Sequence, residues 1–210
     1  MGEIAAEHIR EAILDNVYSR GERLIDSRIA AELGTSRGSV REALKLLQTQ
    51  GLVVQKAHRG TFVISPSAED IRDACELRVA LETHAVRLLA LRLEANLSRL
   101  HTLVDRMDTA ASSGAHAVVS QCDREFHDNL CRMSGSRRLH EVYVREVLGL
   151  LGFFAVDAGL SQDLPHMGVE FRPLLEAIGA GDGDAAAQLI EVHIRRSTDS
   201  LANRIEASRS

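Results

Sequence analysis

The chain has 210 residues, 45% of them apolar and 26% charged, with a formal net charge of −5 at pH 7. Aromatics make up 3%, Trp is absent and only three prolines occur, so Leu, Ala, Val and Ile must build the core of a mostly helical protein. No run of 18 apolar residues exists, which argues against a membrane-spanning helix. The N-terminus, Met1-Gly2-Glu3-Ile4-Ala5-Ala6-Glu7, has no basic stretch leading into an apolar run, so no signal peptide is expected. Cys75, Cys122 and Cys131 are an odd, scattered set and read as buried reduced thiols of a cytoplasmic protein. The acidic total argues against a nucleic-acid partner, but the charge is unevenly spread. Residues 27–60 carry six basic against two acidic side chains, whereas residues 67–210 carry 16 basic and 22 acidic. A basic module on an acidic remainder fits a small DNA-binding unit joined to a separate domain.

The first expected helix covers residues 4–18, with Ile4, Ile9, Ala12, Ile13 and Tyr18 near one stripe and Gly21 as its breaker. Asp26-Ser27 can cap a second helix from Arg28 to Leu33, which Gly34 ends. Thr35 and Ser36 open a third that runs to about Gln50. On it Val40, Ala43, Leu44 and Leu47 recur at helical spacing, while Arg37, Arg41 and Lys45 share the opposite face. Taken alone, this helix is equally well a solvated charged surface. Its neighbours change that: two short helices across a Gly-containing turn form a helix-turn-helix. Two strands come next, residues 52–55 and 61–64, joined by Lys56-Ala57-His58-Arg59-Gly60. The basic tip, with His58, Arg59 and Gly60, can reach the minor groove or flanking phosphates. The order is that of a winged helix-turn-helix that binds double-stranded DNA.

Ser67 can cap a further helix, and from there the pattern is helical to the end. Helices are expected at 68–94, 97–112, 115–134, 137–157, 166–180 and 182–207, giving an all-α bundle of six or seven helices. The domains are therefore 1–66 and 67–210. Within the bundle, Asp123 and His127 stand at i and i+4, spaced to chelate one cation. His193 sits among Ala186, Leu189, Ile190 and Ile194 on the last helix. By themselves an i,i+4 surface ion pair and a hydrogen-bonded core histidine account for these residues. Arg78 can bind an organic carboxylate or pair with Glu82 at i+4. No nucleophile-base-orienter set and no phosphate loop stands out.

Two stretches resemble known families. Gly21-Glu22-Arg23-Leu24, Arg28-Ile29-Ala30-Ala31-Glu32-Leu33-Gly34-Thr35-Ser36-Arg37, Val40-Arg41-Glu42-Ala43-Leu44, Gly51-Leu52-Val53 and Arg59-Gly60-Thr61-Phe62-Val63 are similar to the DNA-binding domain of GntR-superfamily bacterial regulators. The resemblance implies operator contacts from Arg28, Arg37, Arg41 and Gly60; Ser36 and Lys45 on the third helix and His58 and Arg59 at the hairpin tip complete the expected DNA-binding residues. Arg20 stands where the family usually has Pro, and Gly38-Ser39 where it usually has Thr-Pro. Losing Pro costs pre-organisation of the helix start, and losing Thr removes a side chain that in the family often touches phosphate or base. Glu76 to Glu82, Asp123 to Leu130, Ser134-Gly135, Glu170 to Ile178, Gly181-Asp182 and His193 resemble the C-terminal FCD effector domain of the FadR-type branch. That resemblance implies a divalent metal, Zn or Ni, held by one Asp and three His, and a small carboxylate effector.

Asp123, His127 and His193 match three of those ligands, and the remaining His position falls on Phe171. Either three ligands hold a metal completed by water or effector, or no metal binds. His166 and Glu170, close by, are expected on other faces of the helix. The implied effector site comprises Arg78, Asp123, His127, Phe171 and His193. The resulting expectation is a homodimeric repressor on a near-palindromic operator, released by a small organic acid. Two alternatives are a metal-dependent enzyme using Asp123, His127 and His193, and a regulator whose second domain only dimerises.

Overall fold

A computed structural model describes residues 2–14, 17–92, 96–147 and 167–207. Its contacts divide the chain between Pro66 and Ser67. In the first unit, α1 (Gly2–Leu14), β1 (Arg23–Leu24), α2 (Asp26–Glu32), α3 (Arg37–Thr49), β2 (Val53–Lys56) and β3 (Gly60–Val63) succeed one another. Ala5, Ala6, Ile9 and Ile13 of α1 are buried against Val40, Ala43, Leu44 and Leu47 of α3 and Ile29 and Ala30 of α2. Ile4 does not belong to the stripe; it is 60% exposed, because five residues of helix turn it well away from Ile9. Residues 5, 9 and 13 keep the i,i+4 register instead.

α2 begins at Asp26, earlier than expected, behind Ile25 as N-cap. Asp26 is therefore a first-turn residue, and its carboxylate is free to turn toward α3. Ser36 caps α3, its hydroxyl accepting from Ser39 N at 3.1 Å, a bond of about 1 kcal/mol. β2 and β3 form the expected hairpin, with Val53 opposite Val63 and Lys56 opposite Gly60. Arg23 and Leu24 add a third strand on the far side of β3, opposite Phe62 and Thr61. No sequence pattern announces that strand.

The second unit contains α4 (Ala68–Ala90), α5 (Ser98–Ser112), α6 (His116–Met133), α7 (Arg137–Glu146), α8 (Met167–Gly179) and α9 (Gly183–Ala207). These are six helices among the described residues, close to the expected spans. The expected helical stretch 148–157 and His166 lie outside the described residues. Ser67 and Asp70 form a reciprocal capping box that starts α4. α4 and α9 run antiparallel as the main packed pair. Arg72–Glu206 (2.9 Å), Glu76–Arg195 (2.7 Å) and Arg87–Asp184 (2.9 Å) tie their flanks. Val79, Val86, Leu89, Leu103, Met107, Phe126, Phe171, Leu174, Ile190 and Ile194 fill the core. Each such side chain contributes about 1.5–3 kcal/mol of apolar burial. Into this core the chain also places charge: Glu82, His127, Arg78 and His193 are buried.

Candidate functional site

In the first unit α3 turns its apolar side inward and leaves Arg37 and Arg41 more than 60% exposed. Lys45 continues that face, and a cleft between α3 and the wing is lined by Arg23, Asp26, Arg37, Arg41, Lys45, Gln55, Gly60 and Thr61. Gly60 takes φ +101°, and a Cβ there would lie 3.1 Å from Arg23 Nε. The positive φ favours glycine at that position, and any Cβ there would also have to displace the Arg23 side chain by a few tenths of an ångström. His58, at the hairpin tip, has φ +58°. Arg37 and Arg41 both reach Asp26, Arg41 Nε donating at 2.7 Å and Arg37 Nη2 at 3.2 Å. Arg28 is already engaged: it pairs with Glu22 at 2.8 Å and Glu32 at 3.4 Å, with its guanidinium 5.7 Å from the Tyr18 ring centre. Arg23 lines the cleft although no sequence pattern singled it out.

In the second unit, α4, α6, α8 and α9 bring polar side chains into one buried cluster. Asp123 and His127 project from α6, with Asp123 Oδ1 3.4 Å from His127 Nε2 and 3.8 Å from His193 Nε2. The two Nε2 atoms are 3.3 Å apart. On the far side of each ring, His127 Nδ1 donates to Glu82 Oε2 at 2.5 Å and His193 Nδ1 donates to Glu170 Oε2 at 3.1 Å. A carboxylate can only accept, so it fixes the ring proton on Nδ1 and turns the Nε2 lone pair inward. Two facing lone pairs and a carboxylate oxygen need a proton or a metal cation between them. Asp123 Oδ1, buried, has no hydrogen-bond partner among the described residues. All three donor atoms lie within 4.8 Å of one another. The donor set therefore fits a divalent ion held by Asp123, His127 and His193.

Around these donors the charges alternate. Glu82 accepts from Arg78 Nε at 2.6 Å, and Glu170 pairs with Arg196. Burial works against the Glu82 charge, but His127 and Arg78 outweigh it and hold its carboxyl below the ordinary value. Asp123 and Glu170 are likewise opposed by burial yet drawn down to about 2, mainly by His127 for the first and by His193 and Arg196 for the second. Burial opposes charge on both imidazoles; Glu82 and Asp123 nevertheless raise His127, while His193 is lowered. The Phe171 ring packs 4.6 Å from His193 and 5.5 Å from His127 between ring centres. It walls the cluster where a further histidine would stand. Arg78 Nη2 and Tyr143 Oη, both buried, have no hydrogen-bond partner among the described residues.

Two family models match the chain. The FCD domain covers residues 73–196, and the bacterial regulatory proteins of the gntR family cover residues 2–63. The chain belongs to the GntR-family transcriptional regulators that carry an FCD domain. A relative from Paenarthrobacter nicotinovorans, the probable D-xylose utilization operon transcriptional repressor, is 29% identical over 83% of this chain and 76% of its own. The gluconate operon transcriptional repressor of Bacillus subtilis is 28% identical over 62% of this chain and 54% of its own. A GntR regulator of Rhodococcus sp. RHA1 has the same fold, with a TM-score of 0.75 at 27% identity over 96% of this chain and 97% of that one. These families and relatives are transcriptional regulators, and the metal-dependent enzyme expected as an alternative has no counterpart among them.

In this FCD-type GntR regulator the residues expected at a metal and effector site lie together, with Glu170 outside the three donors. Glu170, expected on another face, reaches the cluster through the outer nitrogen of His193. Glu82, expected only as an ion-pair partner of Arg78, also orients His127. Tyr143 carried no sequence signal at all. The i+4 pair Arg78–Glu82 is present, buried rather than on the surface.

Proposed function

We propose that this GntR regulator is a homodimeric, cytoplasmic repressor whose residues 1–66 bind DNA and whose residues 67–210 dimerise and hold an effector. Ser36, Arg37, Arg41 and Lys45 of each protomer would enter the major groove at one half-site of a near-palindrome. His58, Arg59 and Gly60 would meet the minor groove or the flanking phosphates. The basic, exposed face of α3 beside the hairpin supports that placement. Arg28 would have to leave Glu22 and Glu32 to contribute. Two relatives named as repressors favour repression over activation.

The observation that carries the effector reading is the buried convergence of Asp123, His127 and His193 beside the unpaired Arg78 Nη2 and Tyr143 Oη. Asp123, His127 and His193 would hold Zn or Ni. The bound ion supplies a Lewis acid for a carboxylate oxygen. Arg78 offers a guanidinium nitrogen, Tyr143 a hydroxyl, and Phe171 an apolar wall. Together they suit a small organic acid with a short carbon skeleton. Such a ligand acts by binding one dimer conformation better than another, which lowers operator affinity.

The test is a panel of carboxylic acids, with and without zinc, read by thermal shift and by fluorescence anisotropy on an operator duplex. An acid that raises the melting temperature only with zinc and weakens DNA binding supports the reading. If no acid alters either readout, the second domain only dimerises.

A further inference from the structure

One acidic residue stands in the middle of the basic face. Asp26 opens α2, and its carboxylate accepts from Arg41 Nε at 2.7 Å and from Arg37 Nη2 at 3.2 and 3.4 Å. Its side chain is 20% exposed, against 61% for Arg37 and 63% for Arg41. The carboxylate thus lies at the floor of the cleft, and the two guanidinium groups stand above it. Because Arg41 is held through Nε, its two terminal nitrogens have no other partner among the described residues. Those are the nitrogens that lie side by side against O6 and N7 of guanine.

An anion here opposes any contact that depends on charge alone. Phosphates entering the same cleft would meet that carboxylate next to the cations, which reduces their attraction. Surface ion pairs of this kind add little stability, so stability alone gives Asp26 no strong role.

We propose that Asp26 is a positioning residue for DNA specificity. It holds Arg37 and Arg41 in a base-reading pose and weakens their use as mere phosphate anchors. The proposal rests on the reading that Arg37 and Arg41 meet DNA.

The test uses the full chain. A duplex is selected from a random library by the wild-type protein, and its dissociation constant is compared with that of a scrambled duplex across a salt series. Asp26→Asn removes the charge with almost no change of shape. It is expected to lower the ratio of selected to scrambled affinity by about tenfold. It should also steepen the salt dependence on the scrambled duplex by roughly one unit, as a freed arginine takes up phosphate. Asp26→Glu, which restores the carboxylate, should recover most of the ratio. An unchanged ratio in Asp26→Asn, with both affinities moving together, overturns the proposal. So does an Asp26→Glu protein as indiscriminate as Asp26→Asn. Arg41→Ala separates the two levels: if it leaves affinity for the selected duplex intact, the placement of α3 on DNA fails first.

Discussion

His127 and His193 face each other through Nε2 atoms 3.3 Å apart, and the opposite nitrogen of each ring is held by a glutamate. Both rings therefore present acceptors to a common centre that Asp123 completes. Zinc or nickel is expected to stabilise the wild-type chain by about 2.7 kcal/mol at a hundredfold excess over its dissociation constant. For a chain of this size that is a rise of roughly 5–10 °C in melting temperature. Asp123→Ala and His193→Ala should abolish the rise. A differential scanning measurement in which the variants respond like the wild type would refute the ligand assignment.

Phe171 blocks the position where a fourth protein donor would stand. Phe171→His puts an imidazole there in place of a ring that is 1% exposed. Metal affinity, read by competition with a chromophoric chelator, should rise by at least about tenfold. The metal-free variant should lose about 1–3 kcal/mol, because an extra polar group is buried without a partner. Equal affinities in the two proteins would show that an imidazole at position 171 does not reach the ion.

Arg78 and Glu82 form a buried ion pair at 2.6 Å, with side chains 5% and 0% exposed. Glu82→Ala leaves the guanidinium without its counter-charge and frees His127 Nδ1. The expected cost is about 3–5 kcal/mol in urea unfolding. The double change Arg78→Met with Glu82→Leu should recover much of that loss while abolishing any effector response. A single variant as stable as the wild type would mean that water reaches the pair.

The chain has two tyrosines and no Trp, so phenolate absorbance reports on them cleanly. Burial raises Tyr18 to about 12, helped by its hydrogen bond to Glu32, and burial pushes Tyr143 well above the usual value. The fold thus favours the neutral phenol. For Tyr18 that contribution is complete below the unfolded value of about 10 and is lost as pH rises through about 12. Ultraviolet titration of the folded protein should show almost no ionisation at pH 10.5. A full-amplitude step near pH 10 would place one tyrosine in water.

On DNA, Arg41→Ala should cost roughly 1–3 kcal/mol on the preferred duplex and much less on others. Lys45→Ala should weaken all sequences alike and lower the salt slope by about one unit. Anisotropy across a salt series separates the two. Equal, sequence-blind losses in both variants would make Arg41 a phosphate contact.

Legibility in the sequence tracks the range of the interactions. α3 is legible because Val40, Ala43, Leu44 and Leu47 repeat along one helix, and Ser36 caps it with a bond to Ser39 three residues on. The hairpin is legible from Gly51, Gly60 and the apolar runs. β1 is not, since Arg23 pairs with Phe62 and two residues have no period. In the bundle, Asp123 and His127 share a helix face by spacing alone. Glu82 reaches His127 across 45 positions and Glu170 reaches His193 across 23, and no local pattern encodes either. Helix geometry does keep Glu170 from aiming at the centre that the three donors share. An imidazole, however, has a second nitrogen on its outer edge, and Glu170 binds there.

Three carboxylates, Glu82, Asp123 and Glu170, surround the two imidazoles, against the guanidinium groups of Arg78 and Arg196. With both imidazoles neutral these groups carry one net negative charge, which a proton or a cation between the two Nε2 atoms offsets. An organic acid alone would be repelled there, whereas a divalent cation would be welcomed and would reverse the local sign. Metal and acid must then strengthen each other's binding by the same factor. On the proposed reading such a domain would work as a coincidence detector: scarcity of either component would leave the operator occupied, and the genes it controls would answer to metal supply as well as to nutrient.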